Sequence, residues 1–294
     1  MKYRKRILIL GAAGFIGRNL VEEFKTKYYL LTPSHRELDF TNEPDVSRYF
    51  RLNKVDVVIN GIVVGGSRKE EHEENALSIN LRIFFNIIKN SKYYEKLIHL
   101  GSGAEYDKTR SLKRITESNF GKRIPSDEYG LFKYICSKYI ENSSDNIVNL
   151  RLFGLFGKYE DYRYRFISQA ICRNICGLPI TIKQNVFFDY VYIKDFTKIV
   201  EYFINNRFRF KSYNIGSGKR IDIISLARII NDVSGIKSKL ITEKRGLNNE
   251  YTCNNRRLRS ELHTDFKLTP LKKSIKELYN WYMENKEIIN ENFL

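Results

Sequence analysis

Short aliphatic runs alternate with amphipathic stretches of helical length through the first half of the chain. Apolar runs at Arg6 to Leu10, Tyr28 to Leu31, Val55 to Ile59, Leu97 to Leu100 and Ile147 to Leu150 read as strands. Between them, Gly14 to Lys25, Asn75 to Asn90 and Asp127 to Glu141 carry helical spacing. Strands without an apolar/polar alternation are buried on both faces, so this order predicts an α/β fold with a doubly wound parallel sheet. Right-handed crossovers then put the ligand crevice at the carboxyl ends of the strands. After Gly157 the pattern loosens. Helical spacing at Phe166 to Cys176, strand-like runs at Ile180 to Lys183 and Asp189 to Ile193, and a last helix ending near Lys286 suggest a smaller α/β lobe. The expected division is a dinucleotide-binding domain over 1–157, rejoined by about 186–215, and a substrate lobe over about 158–185 and 216–294.

The segment Leu8-Ile9-Leu10-Gly11-Ala12-Ala13-Gly14-Phe15-Ile16-Gly17 sets three glycines three apart between the first strand and the first helix. Gly11 permits the tight turn, Gly14 lets backbone approach a pyrophosphate, and Gly17 lets helix pack on strand, with the helix N-terminus facing the anion. This is a dinucleotide site. A carboxylate at the end of the second strand would hold the 2′-hydroxyl of NAD, whereas a basic group accommodates a 2′-phosphate. The second strand runs out through Thr32-Pro33-Ser34-His35-Arg36, with no acid before Glu37. Ser34 and Arg36 favour NADP(H), with NAD(H) as the alternative.

Tyr129 and Lys133 are four apart, so a helix would show both on one face. A free tyrosine is too weak an acid for neutral pH, and a nearby ammonium favours its phenolate. Such a pair can give or take a proton at an alcohol or ketone oxygen. Tyr134 and Lys138 repeat the spacing, but more than a turn inside the helix. The fourth strand delivers Ser102 at its carboxyl end, a hydroxyl able to bond the same oxygen.

Composition adds less. The 294 residues include 51 Lys+Arg against 34 Asp+Glu, a net charge of +17, which suits anionic ligands or nucleic acid. The basic residues are scattered, as in Arg68-Lys69, Lys122-Arg123 and Arg256-Arg257, and form no stripe. No run is apolar enough for a membrane span, and the four apolar residues before Gly11 are too few for a secretion signal, so a cytoplasmic protein is expected. Cys136, Cys172, Cys176 and Cys253 make no metal set and read as small core residues.

The glycine triplet, Ser102 and the Tyr129/Lys133 pair together resemble the extended short-chain dehydrogenase/reductase family, nearest to its nucleotide-sugar branch of epimerases, dehydratases and 4-keto reductases. Arg151 to Gly157, Phe188 to Asp195, Tyr213 to Gly218 and Thr269 to Leu271 resemble further family segments. The resemblance implies a nucleoside-diphosphate sugar as substrate, a homodimer through the helices near 75–90 and 127–141, no nucleic acid or membrane partner, and a place in surface-polysaccharide biosynthesis. It implies Ser102, Tyr129 and Lys133 as the catalytic set. For the cofactor it implies Gly11, Gly14, Phe15, Ile16 and Gly17 at the phosphates, with Asn60, Gly61 and Ile62 lining the riboses; Tyr129 and Lys133 are expected to bind it too, Lys133 at the nicotinamide ribose. Ser34 to Phe40 looks like the matching stretch of GDP-fucose-synthase-like reductases, with Asp39 and Phe40 near adenine.

Two positions depart: Gly154 stands where the family has Asn, and Phe188 where it has Arg. The family's 4,6-dehydratases follow the serine with an Asp-Glu pair, whereas here Gly103-Ala104 follows. Its epimerase-reductases need a cysteine at the place of Ala104 and a histidine in the second lobe, and no histidine lies between His99 and His263. Reduction of a 4-keto sugar by NADPH is the expected chemistry. A nucleotide-sugar 4-epimerase with retained NAD is the alternative, and a non-catalytic dinucleotide- or RNA-binding module the reading from a different class.

Overall fold

The computed structural model describes residues 3–65, 74–262 and 265–294; Arg68-Lys69 and His263 lie outside them. The chain divides into two compact units, one of 1–109, 117–152 and 197–214, the other of 110–116, 153–196 and 215–294.

In the first unit β1 (Arg6–Leu10), β2 (Tyr29–Leu31), β3 (Val57–Asn60), β4 (Lys96–Ser102), β5 (Ile147–Leu152) and β6 (Ser212–Ile215) form one sheet in the order β6-β5-β4-β3-β1-β2. The pairs from β2 to β5 are parallel, and Leu10 sits opposite Asn60, and Asn60 opposite His99. The carboxyl ends of β1, β3 and β4 therefore leave the sheet along one edge, as an α/β sheet requires of its ligand site. Helices α1 (Phe15–Phe24), α2 (Glu43–Leu52), α3 (Ala76–Ile88) and α4 (Glu128–Asn142) fall in the crossovers. Leu8, Val58 and Leu97 of the sheet share a core with Val46 and Phe50 of α2, Phe84 of α3 and Cys136 and Ile140 of α4.

The expected elements are present with shifted ends. β4 runs on through Ser102, α2 went unread because it buries only Val46 and Phe50, and β6 adds a sixth strand. Cys136, Cys172 and Cys253 are buried, but Cys176 is only half-buried, which corrects its reading as a core residue.

In the second unit the strands Arg220–Asp222, Phe187–Tyr192, Tyr251–Cys253 and Leu112–Ile115 form a sheet in that order, with Gly154–Phe156 pairing Phe187–Tyr192. Helices Phe166–Ile175, Ile223–Ser234 and Leu271–Glu284 belong to the same unit. These pairings move the boundaries expected from sequence. Segment 110–116 joins the second unit because Leu112–Ile115 pairs with Tyr251–Cys253. The return to the first unit spans 197–214 rather than about 186–215, because Phe187–Tyr192 is bonded within the second.

Candidate active site

The glycine turn is a backbone construction. Gly11 has φ +81°, in the left-handed region that favours glycine. A Cβ on Gly17 would stand 2.1 Å from Gly11 O, so the first turn of α1 packs where no side chain fits. At Gly14 the situation reverses: an added Cβ would find only Gly11 O within 4 Å, at 3.4 Å, so that side is open to a ligand. Gly14 N–H donates to Gly11 O, and no side chain caps α1. The leading N–H groups, including those of Phe15, Ile16 and Gly17, have no intrahelical acceptor, which suits an anion at the helix N-terminus. A pyrophosphate-linked dinucleotide fits this cradle.

Ser34 and Arg36 are exposed after β2. The acids beside them are engaged locally. Glu37 turns back to accept Ser34 N–H at 2.7 Å, a bond that holds its carboxyl below the usual range. Asp39 accepts Thr41 N–H at 2.8 Å and Thr41 Oγ1–H at 2.7 Å, with the same effect. The Phe40 ring is buried in the core beneath the turn, so its side chain does not face a surface, while its carbonyl accepts Asn86 Nδ2–H.

At the end of β3, Gly61 N–H bonds Leu10 O, and a Cβ on Gly11 would meet Gly61 O at 3.0 Å. The Asn60, Gly61 and Ile62 segment thus lies directly against the glycine turn. Asn60 itself is buried: its Oδ1 accepts Ile62 N–H at 3.3 Å and its Nδ2 meets His99 Nδ1 at 3.4 Å. Its side chain stiffens the turn, and Gly61 and Ile62 supply the accessible part of the segment.

Ser102, the last residue of β4, is 7% exposed. Its Oγ accepts Ala104 N–H at 3.1 Å and its amide donates to Glu105 Oε1 at 2.9 Å, a capping box for the short turn Gly103–Tyr106. Helix α4 starts against that turn: a Cβ on Gly130 would stand 3.0 Å from Ala104 O. Asp127 caps α4 by accepting Gly130 N–H at 3.0 Å. This delivers Tyr129 in the first turn of the helix, half-buried, with the Lys133 Nζ 5.9 Å from its ring centre. Lys133 is buried, donates to Leu100 O at 2.7 Å, and is pushed down to about 8 by desolvation. Tyr134 is buried against Phe120, while Lys138 is exposed, so the repeated spacing does not build a second pair at this edge.

Two features went unread in the sequence. Lys108 stands with Nζ 5.5 Å from the Tyr129 ring centre and pairs with Asp127 at 3.1 Å. Glu105 is fully buried and ion-paired with the fully buried Arg151 at 2.6 Å. The available signal was Asn149 and Arg151, polar at period two between the apolar Val148 and Leu150 of a buried strand.

In the second unit each departure from the family pattern has its own local packing. A Cβ on Gly154 would stand 2.5 Å from Asp189 O and 2.9 Å from the Tyr190 ring, so the asparagine of the pattern has no room. Phe188 packs on Tyr190 and Tyr251, with ring centres 5.6 and 6.0 Å away. The same unit buries Glu160, whose Oε2 accepts Ser168 Oγ–H at 2.7 Å and whose carboxyl is pushed up to about 8 by burial.

A parallel sheet whose first strand ends in this glycine cradle, with a serine and a Tyr/Lys pair along the same edge, defines a dinucleotide-dependent oxidoreductase. Residues 7–216 match the NAD dependent epimerase/dehydratase family, and the chain belongs to it. Among similar curated proteins, the GDP-L-colitose synthase of Yersinia pseudotuberculosis is 24% identical over 265 residues, covering 81% of this chain and 85% of that protein. A GDP-mannoheptose C4 reductase from Campylobacter jejuni, solved with NADP bound, has the same fold at TM-score 0.80 and 20% identity, covering 96% of this chain and 99% of the other. A GDP-L-fucose synthetase from Naegleria fowleri, also bound to NADP, matches at TM-score 0.83 and 17% identity over 98% of this chain and 95% of the other. Among the described residues no helix is long and apolar enough to cross a membrane.

Proposed function

We propose that this protein reduces the 4-keto group of a nucleoside-diphosphate-linked deoxy sugar with NADPH, in the cytoplasm and for surface-polysaccharide biosynthesis. The observation that carries the reading is the set at the end of β4: Ser102 held by its turn, Tyr129 on the helix packed against that turn, and the buried Lys133 beside Tyr129. Gly11, Gly14, Phe15, Ile16 and Gly17 hold the pyrophosphate, and Gly61 and Ile62 line the riboses. The nicotinamide cofactor supplies the hydride when bound. Tyr129 gives its proton to the C4 oxygen, Ser102 donates a hydrogen bond to that oxygen, and the Lys133 ammonium favours the phenolate left behind. The Asp-Glu pair of the dehydratases has no counterpart here, because Gly103 and Ala104 carry no ionisable group and the Glu105 carboxylate is turned inward onto Arg151.

Guanosine diphosphate is the first nucleotide to try, because the colitose and fucose synthases and the heptose reductase named above are GDP-sugar enzymes. Exposed Arg36 supports NADPH. The carboxylate of Glu37 at Ser34 N–H favours a second reading in which NAD is held by its 2′-hydroxyl. A homodimer would use α3 and α4, where Leu77, Leu81, Phe85 and Tyr139 lie partly buried on the outer side of the core.

The test is incubation with NADPH and a panel of nucleotide-linked 4-keto-6-deoxy sugars made in situ, following the nicotinamide absorbance. Cofactor consumption with formation of the 4-hydroxy sugar supports the reading. Interconversion of 4-epimers without cofactor consumption would replace it by the epimerase with retained NAD. Tyr129→Phe should abolish turnover while NADPH affinity stays within a few-fold, and full activity of that variant defeats the assignment. A salt-dependent RNA titration addresses the non-catalytic module: steep, tight binding would revive it.

A further inference from the structure

Beneath Ser102 lies a buried ionic network that the proposed chemistry does not use. Glu105 and Arg151 both have no exposed side-chain surface. One carboxylate oxygen of Glu105 accepts the Ser102 amide at 2.9 Å, and the other accepts Arg151 Nε–H at 2.6 Å. Three more of the guanidinium's donors are engaged: one terminal nitrogen donates to Tyr106 Oη at 3.1 Å, the other to Ser137 Oγ at 2.6 Å and Glu141 Oε1 at 3.1 Å. The Phe120 ring covers it at 4.2 Å. The missing side chain at Gly101 of β4 makes the room. A Cβ on Gly101 would stand 2.1 Å from Asn149 Oδ1 and 2.4 Å from Glu105 Oε1.

An ion pair this deep is a poor source of stability, because an apolar pair of similar volume would serve as well or better. What it does supply is geometry. The Ser102 amide is fixed by Glu105, and Ala104 N–H occupies an acceptor site of the Ser102 hydroxyl. The hydroxyl hydrogen is then free to be donated to a ligand oxygen.

We propose that Glu105 and Arg151 are positioning residues that hold the Ser102 hydroxyl as a hydrogen-bond donor toward the substrate C4 oxygen. This rests on the reductase reading given above. A double-mutant cycle tests it, with Ser102→Ala, Glu105→Gln and the two combined, each assayed for kcat, KM and NADPH affinity. Glu105→Gln keeps an oxygen for the Ser102 amide but breaks the ionic lock. It should lower kcat about ten-fold, since small displacements of a reacting group are costly, with KM and NADPH affinity little changed. In the Ser102→Ala background it should lower kcat no further. An equal loss in both backgrounds, or no loss in either, overturns the proposal. Ser102→Ala with unchanged kcat overturns the reductase reading of Ser102 instead, and this inference with it. Should Glu105→Gln not fold, Arg151→Lys, which keeps the buried charge but loses the fork, takes its place in the same cycle with the same outcomes.

Discussion

Two buried glutamates, one in each unit, solve the same problem in opposite ways. Glu105 lies beneath the end of β4 and meets a guanidinium at 2.6 Å. Glu160 lies in the second unit with the Ser168 hydroxyl at 2.7 Å, and burial raises it until it holds its proton to about pH 8. A carboxylate removed from water must find a cation or a proton. The first choice fixes a direction, because a guanidinium offers its donors in a rigid fork. The second fixes none and leaves stability tied to pH.

The largest expected effect breaks the first arrangement. Glu105→Leu strands the Arg151 guanidinium and should cost about 3–5 kcal/mol in urea unfolding. Glu160→Gln, which keeps a hydrogen-bonding oxygen for Ser168, should stay within about 1 kcal/mol of the parent at pH 6. If both variants lose equally, the contrast between the two acids is void.

Next in size is the pH dependence of the wild type. The unfolded chain ionises Glu160 near 4.5, whereas the folded chain keeps it protonated to about 8. Over that window the folded state binds more protons, so this group's contribution is complete below 4.5 and declines as pH rises through 8. The loss amounts to a few kcal/mol. Glu160→Gln should remove that slope, and a denaturation series across pH reads it directly.

Lys133 is the cationic counterpart, drawn down to about 8 by burial against the opposing pull of Cys136 and Glu105. Its charge is present below that pH and lost above it, so kcat should decline on the alkaline side with a limb near 8, and Lys133→Met should erase the limb together with most of the activity. The smallest effect belongs to the cofactor loop. Arg36→Ala should weaken NADPH by about ten-fold, a single charge-assisted contact, and leave NADH unchanged in a fluorescence titration; equal losses for both cofactors would deny Arg36 its 2′-phosphate role.

The parts of this molecule that backbone dictates were legible in the sequence. Gly11 and Gly17 announce their turn because no other residue fits those positions, Gly14 keeps the side between them open, and the Tyr129/Lys133 spacing is enough to bring a helix face to the strand ends. The parts built by side chains meeting across the fold were not. Glu105 sits in an unremarkable short turn, and only the fold brings Arg151, 46 residues further on, onto it. The burial of the Phe40 ring was hidden for the same reason, since an aromatic ring in a surface loop sequence is drawn inward only when a core is there to receive it. The domain limits were missed where strand pairing over long separations, Leu112 with Tyr251, recruits a segment from the middle of the first unit.

Gly154 also limits how this chain could change. Restoring the asparagine of the family pattern there would drive its Cβ to 2.5 Å from a backbone carbonyl and 2.9 Å from a ring. Replacing Tyr190 removes the second obstacle but not the first, so Gly154–Phe156 and Phe187–Tyr192 must separate before any side chain is admitted. No single substitution leads back. A redesign of this segment has to change its strand spacing first and its residues afterwards, an order of events that a position-by-position library would not sample.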